Sequence, residues 1–362
     1  MKEEKRCAME KIKYYKTYDG ICVIAGSVLG SGFEPYGLNG ITIPDEIDGV
    51  PVTELRATYL QQEIGYIEAF HLKRISLQII GDGFREMRCG TPLLCGGVQN
   101  SLESMELEFS ASKMHLNSFD CTQLTKVIFK GKVVDDPDWD YGSFADRIFF
   151  GCEKLVSISG IFEGWYLGSS CFAGCTALRT LPVLKIKAMG DEIFKNCKAL
   201  SQIHLSNGLK RIGSNVFENC ISLEDLYIPD TVEEIGNRIF SGCISLQSVH
   251  MPKKIFKISN GMFQNCVKLK KVFLPDELKQ IENDAFYGCR ELQSPWMPDG
   301  LLSIGERAFY GCSMIKEIWI PQSVTFIGED AFSECPGVVL KGKIGSAAEK
   351  YANENGISFI GE

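Results

Sequence analysis

Long apolar runs are missing from this sequence. No stretch approaches the ~18–20 consecutive apolar residues of a membrane-spanning helix, so no span is expected. Basic charge is short as well: 38 Lys and Arg stand against 46 Asp and Glu, a net charge of −8. Nucleic-acid phosphates demand clustered cations, so nucleic acid is not expected as a partner. Histidine is scarce, with four in 362 residues, which leaves little material for imidazole-assisted catalysis or metal binding. Residues Met1–Glu10 carry charges but no apolar segment, and do not read as a secretory signal. What remains is an ordinary soluble composition, 45% apolar and 23% charged, long enough for a large core or two domains.

Cysteine is the residue in excess. Fifteen is an odd number, so at least one thiol is unpaired, and about 4% is well below the ~8–10% of a disulfide scaffold. Position explains the excess better than oxidation does. Phe172, Phe194, Phe217, Phe240, Phe263, Phe286, Phe309 and Phe332 are spaced by 22 residues once and then by 23. A Cys follows each by three, from Cys175 to Cys335, and Phe149 with Cys152 extends the pattern back. Pro229, Pro252, Pro275, Pro298 and Pro321 keep the same period, as do Ile212, Ile235, Ile258, Ile281, Ile304 and Ile327. Phase-locked residues over about 200 positions mean stacked repeats, a solenoid.

One unit, residues 223–243, shows the logic. Leu226-Tyr227-Ile228 alternates as a strand, ended by Pro229, which has no amide to donate. Val232 to Ile235 is a second extended stretch, with Gly236 expected to turn the chain. Ile239 to Cys243 fits one short helical turn that puts Phe and Cys on one buried face. A single unit cannot bury that face alone, whereas stacked units share a core and a parallel sheet with strands ~4.8 Å apart. Four sections are expected: an N-terminal arm (1–20), irregular repeats (21–120), regular 23-residue repeats (121–340) and a cap (341–362). In the cap, Ser346 and Glu349 form a capping box, the helix runs to Asn355 before Gly356, and Ile357–Ile360 adds a last strand.

Asp284-Ala-Phe-Tyr-Gly-Cys289 and Arg307-Ala-Phe-Tyr-Gly-Cys312 resemble the BspA-type leucine-rich repeat pattern. The flanks 41–52 and 345–356 resemble that family's entry and closing segments, so the likeness covers roughly residues 38–360. It implies an α/β leucine-rich-repeat solenoid: a right-handed superhelix with a parallel sheet on one face and short helical turns on the other. It also implies binding of host proteins or other cells, often at a cell surface, whereas the N-terminus and the thiols point to the cytoplasm. It implies no catalytic residues and no cofactor.

The cysteine ladder has no C-x-x-C pair and no companion His, so zinc spacing is absent and the thiols read as small core residues. The outward position of successive strands carries His204, Tyr227, His250, Phe273, Trp296 and Trp319, one per repeat over roughly 24 Å. The family usually carries small residues there. Two readings stay open: a self-stacking ladder that stabilises the sheet, or a recognition strip rimmed by Lys270, Lys271, Gln293, Ser294, Lys316 and Glu317. His204 and His250 stand too far apart to share a metal, and His71 and His115 are the only others. The carboxylates 136, 138 and 140 resemble part of a calcium loop, but Tyr141 and Arg147 occupy its glycine and glutamate positions. Cys89 and Cys95 flank a Gly- and Pro-bearing loop with only turn chemistry. The expectation is a non-enzymatic binding protein that uses the aromatic row for a protein ligand, in adhesion or host interaction. The alternative is a carbohydrate-binding module with that row as a sugar platform.

Overall fold

The computed structural model describes residues 146–160, 162–164 and 166–362. Before them it describes the segments 13–17, 20–25, 40–42, 46–47, 49–60, 66–68, 74–80, 94–95, 104–110, 123–131 and 143–144. The chain divides into two compact units, Met1–Pro182 and Val183–Glu362. The acidic loop 135–141, Cys89, His71 and His115 lie outside the described residues, and of Cys95 only the backbone is described.

In the first unit, β1 (Lys13–Thr17) and β2 (Gly20–Ala25) form an antiparallel hairpin. Five parallel strands follow in chain order: β3 (Val50–Leu60), β4 (Arg74–Ile80), β5 (Ser104–Ser110), β6 (Lys126–Gly131) and β7 (Ser157–Gly160). Neighbours in sequence are neighbours in the sheet, which is what a coil adding one strand per turn produces. Long parallel strands therefore cross residues 53–120, where the sequence shows only degenerate units.

The second unit stacks regular coils. One side carries β8 (Asp225–Tyr227), β9 (Ser248–His250) and β10 (Lys271–Phe273), parallel and in register at 23-residue offsets. A second set follows on the same repeat position: β11 (Glu317–Trp319), β12 (Val339–Gly342) and β13 (Ser358–Gly361). The two sets do not join, because the coil between them carries Pro295 at the inward position that Val272 and Ile318 hold on its neighbours. Proline has no ladder donor, and residues 294–296 form no strand. A second side consists of two-residue strands ending in Ile212, Ile235, Ile258, Ile281, Ile304 and Ile327.

The third side departs from the sequence expectation. Among the described residues the α-helix is α1 (Ala347–Glu354), and Ile239–Cys243 is a chain of β-turns. Its physical cause is a pair of left-handed residues around each Phe, such as Arg238 (φ 55°) and Gly242 (φ 75°) around Phe240, which stop an α-helix from propagating. Backbone groups are satisfied in two directions. The amides of Arg238, Phe240 and Gly242 donate to carbonyls of the next coil at 2.8–2.9 Å. Those of Ser241, Cys243 and Leu246 close turns within their own coil at 3.0–3.1 Å.

The core is a column of rings. From Phe194 to Phe332 successive phenyl centroids lie 5.1–5.7 Å apart with planes within 13° of parallel, an offset stack set by the coil rise. Beside it, Cys220, Cys243, Cys266, Cys289, Cys312 and Cys335 are free buried thiols, so the core reading of these residues holds. At Gly236, where the chain leaves the second side, a Cβ would sit 2.5 Å from the Gly213 carbonyl carbon and the Ser214 nitrogen of the preceding coil. Glycine is required for close approach between coils.

The end is sealed as expected. Ser346 caps α1 by accepting the Glu349 amide, and the Glu349 carboxylate reaches back to the Gly345 amide at 2.6 Å. Gly356 (φ 65°) and the Ile357 amide on the Ala352 carbonyl, at 2.9 Å, close the helix in a Schellman motif.

Candidate binding surface

Alternation in β8, β9, β10 and β11 buries Leu226, Val249, Val272 and Ile318, and turns Tyr227, His250, Phe273 and Trp319 outward. Trp296 takes the same outward position on the strandless coil. His204 is exposed, outside any strand; its carbonyl accepts the Leu184 amide at 3.3 Å. The six expected residues thus share one repeat position, but not one environment.

Tyr227, Phe273 and Trp296 are 54%, 60% and 61% exposed, a large apolar area left in water on three of four successive coils. His250, between them, is half-buried. Its ring stacks on Tyr227 at 4.7 Å and 30°, and meets Phe273 at 6.5 Å and 35°. That packing leaves His250 Nδ1 shielded and without a hydrogen-bond partner. Trp319 is half-buried; Lys341 lies opposite it on β12, with its ammonium paired to Glu317 at 2.8 Å. His250 thus stacks on Tyr227 and stands tilted toward Phe273, whereas Trp296 has no ring partner among the described residues.

The rim is polar, and much of it is occupied. Lys316 Nζ bonds the Ser313 carbonyl at 3.0 Å, Lys270 stands 3.8 Å from Glu291, and Ser294 Oγ donates to the Glu317 carbonyl. Lys271 and Gln293 are exposed. Beyond the buried prolines lies a second edge that the sequence reading passed over: Asp230, Lys253, Asp276 and Asp299 on four consecutive coils. The first two pair at 2.7 Å, and Lys253 holds the Asp230 carboxyl below its usual range through that hydrogen bond.

Two other surfaces escaped the sequence reading. Phe256 and Phe326 are exposed on the second side, where a shallow groove of about 300 Å³ is lined by Gln280, Glu282, Asn283, Ser303 and Phe326. Tyr287 and Tyr310 stack at 4.9 Å and 6° on the turn side. Alternation in the strand beginning at Lys257 hints at the first, but two-residue strands are too short for a periodic signal. Among the described residues no three metal-ligating side chains converge, and no helix is long and apolar enough to cross a membrane.

The BspA-type leucine-rich repeat model matches in six copies over residues 140–246 and 210–339, more than half of the chain. No curated protein matches the sequence. Among solved structures, a leucine-rich repeat protein from Bacteroides ovatus is 19% identical, with a TM-score of 0.51 over 97% of this chain and 98% of that one. Another from Eubacterium ventriosum is 18% identical, with a TM-score of 0.47 over 90% of this chain and 92% of that one. The first likeness supports the fold alone. The repeat pattern, the coil geometry and the matched model agree, and the chain belongs to the BspA-type leucine-rich repeat family.

Proposed function

We propose that this is a non-catalytic binding protein that recognises a partner protein across the outward aromatic row, in adhesion or host interaction. The observation that carries the reading is the exposure of Tyr227, Phe273 and Trp296 at one repeat position. The fold buries a Phe column of its own and has no need of these rings. Exposed aromatics contribute large contact area at little entropic cost, which is why they concentrate at interface hot spots. Binding would use a preformed surface and no bond-making chemistry. Inclinations of 30° and 35° between successive rings favour a protein over a sugar platform, which needs faces in a common plane.

The test is binding to immobilised extracellular-matrix proteins and to polysaccharides, by wild type and by Trp296→Ala/Trp319→Ala. A protein ligand retained by the wild type and lost by the double variant supports the reading. A polysaccharide lost in the same way replaces it with the sugar platform, and a ligand bound equally by both removes the row from recognition.

A further inference from the structure

We propose that the groove on the second side binds a neutral sugar unit of a glycan, with the Phe326 ring against the sugar's C–H face and Gln280, Ser303 and Asn283 on its hydroxyls. The site occupies a different repeat position from the aromatic row and does not rest on the protein-binding reading.

Side-chain length makes the groove. On the strands ending in Ile258, Ile281, Ile304 and Ile327 the outward residues are Lys257, Gln280, Ser303 and Phe326, paired in register one coil apart. Ser303 is the short member between two long ones, and Gly305 beyond it carries no side chain. A depression therefore forms over Ser303, walled by Gln280 on one coil and by Phe326 on another, two coil rises or about 10 Å away. Its volume of about 300 Å³ stands at the low end of small-molecule sites and holds a single sugar ring. Phe326 is 58% exposed and offers its apolar surface to whatever enters.

The polar lining comes from a break in the repeat. Gly213, Gly236, Gly305 and Gly328 follow the isoleucines of their coils, but Glu282 follows Ile281. One Glu282 carboxylate oxygen accepts the Lys257 ammonium at 2.8 Å and the other accepts the Asn260 amide at 2.9 Å. Its charge is thereby balanced, and no other ionised side chain lines the groove. Asn283 Oδ1 accepts the Glu306 amide at 2.9 Å, which fixes that side chain and leaves its Nδ2 for a ligand. Amides and a hydroxyl supply both donors and acceptors, as sugar hydroxyls require, and a side chain already held in place costs less to order on binding. A phosphate would find no unpaired cation here. A wholly apolar ligand would leave the amides without partners. One exposed ring beside neutral hydrogen-bonding groups matches a ligand with an apolar face and many hydroxyls.

The experiment is saturation-transfer difference NMR on the full chain with neutral oligosaccharides of the glucan, mannan, galactan and xylan series, and with oligogalacturonate as the acidic control. Variants are Phe326→Ala, Ser303→Leu, whose side chain fills the groove, and Phe256→Ala, which removes an equally exposed ring outside it. The expected result is saturable transfer to at least one neutral oligosaccharide. Phe326→Ala raises its dissociation constant about tenfold, the scale of one lost contact. Ser303→Leu abolishes binding, and Phe256→Ala leaves it unchanged. Transfer to none of the neutral oligosaccharides, equal transfer to oligogalacturonate, or binding that survives Ser303→Leu overturns the inference. Trp296→Ala/Trp319→Ala separates the two surfaces. Sugar binding kept in that variant and lost in Ser303→Leu supports the groove, whereas the reverse pattern moves the sugar to the aromatic row and overturns the inference. A matrix protein lost only in the tryptophan variant supports the row and leaves the groove to be judged by its own sugars.

Discussion

The thiol of Cys266 donates to the carbonyl of Phe240, 26 residues back, at 3.0 Å, and that same carbonyl accepts the Cys243 amide of its own coil at 3.0 Å. Both acceptor sites of the Phe carbonyl are thus filled inside the core. The relationship recurs from Cys220 on Phe194 to Cys335 on Phe309, at 3.0–3.2 Å. Cysteine fits the position because it is small and apolar and carries one weak donor. Cys266→Ala removes that donor and leaves a small void. A loss of about 1–2 kcal/mol is expected from urea titration.

Burial also makes the ladder sensitive to alkali. It pushes the Cys243 thiol up to about 12 and the Cys335 thiol up to about 11, from 9.0. Above pH 9 the unfolded chain releases protons that the native thiols retain, so stability is full below that value and falls as pH rises toward 11–12. Urea midpoints should be level from pH 7 to about 8.5 and decline by about pH 10.5. A midpoint unchanged through that range would remove the burial argument.

Left-handed residues on the turn side give the opposite kind of prediction. Glu334 (φ 57°) holds a conformation costing a residue with a Cβ about 1 kcal/mol, at the position that Gly311 fills one coil earlier. Glu334→Gly should raise stability by about 0.5–1 kcal/mol. Gly236→Ala should lower it by about 2–3 kcal/mol, because the added methyl meets backbone at 2.5 Å.

Much of this was legible from residue spacing: the 23-residue coil, the Phe and Cys column, the prolines ending the strands and the C-terminal cap. The turn side was not. A Phe and a Cys three apart fit a helical turn as well as successive β-turns, and the left-handed positions that decide between them are shared among Gly, Asn, Asp, Arg, Glu and Ser. The aromatic row was legible from alternation, but the half-burial of His250 follows from ring contacts with the coils on either side. The break at Pro295 was hidden by the regularity around it.

That break has a consequence for stability. Pro295→Val returns a donor and a β-branched side chain to the inward position between β10 and β11. A gain of about 0.5–1 kcal/mol is expected by urea unfolding.

A ring kept for recognition is surface that the fold does not need. The most direct measurement is the urea unfolding free energy of Phe273→Ala/Trp296→Ala against wild type. A change within about 0.5 kcal/mol, the range of surface substitutions, is expected. A loss of about 2 kcal/mol or more, the scale of core truncations, would show that the row holds the sheet together and would contradict a role in recognition.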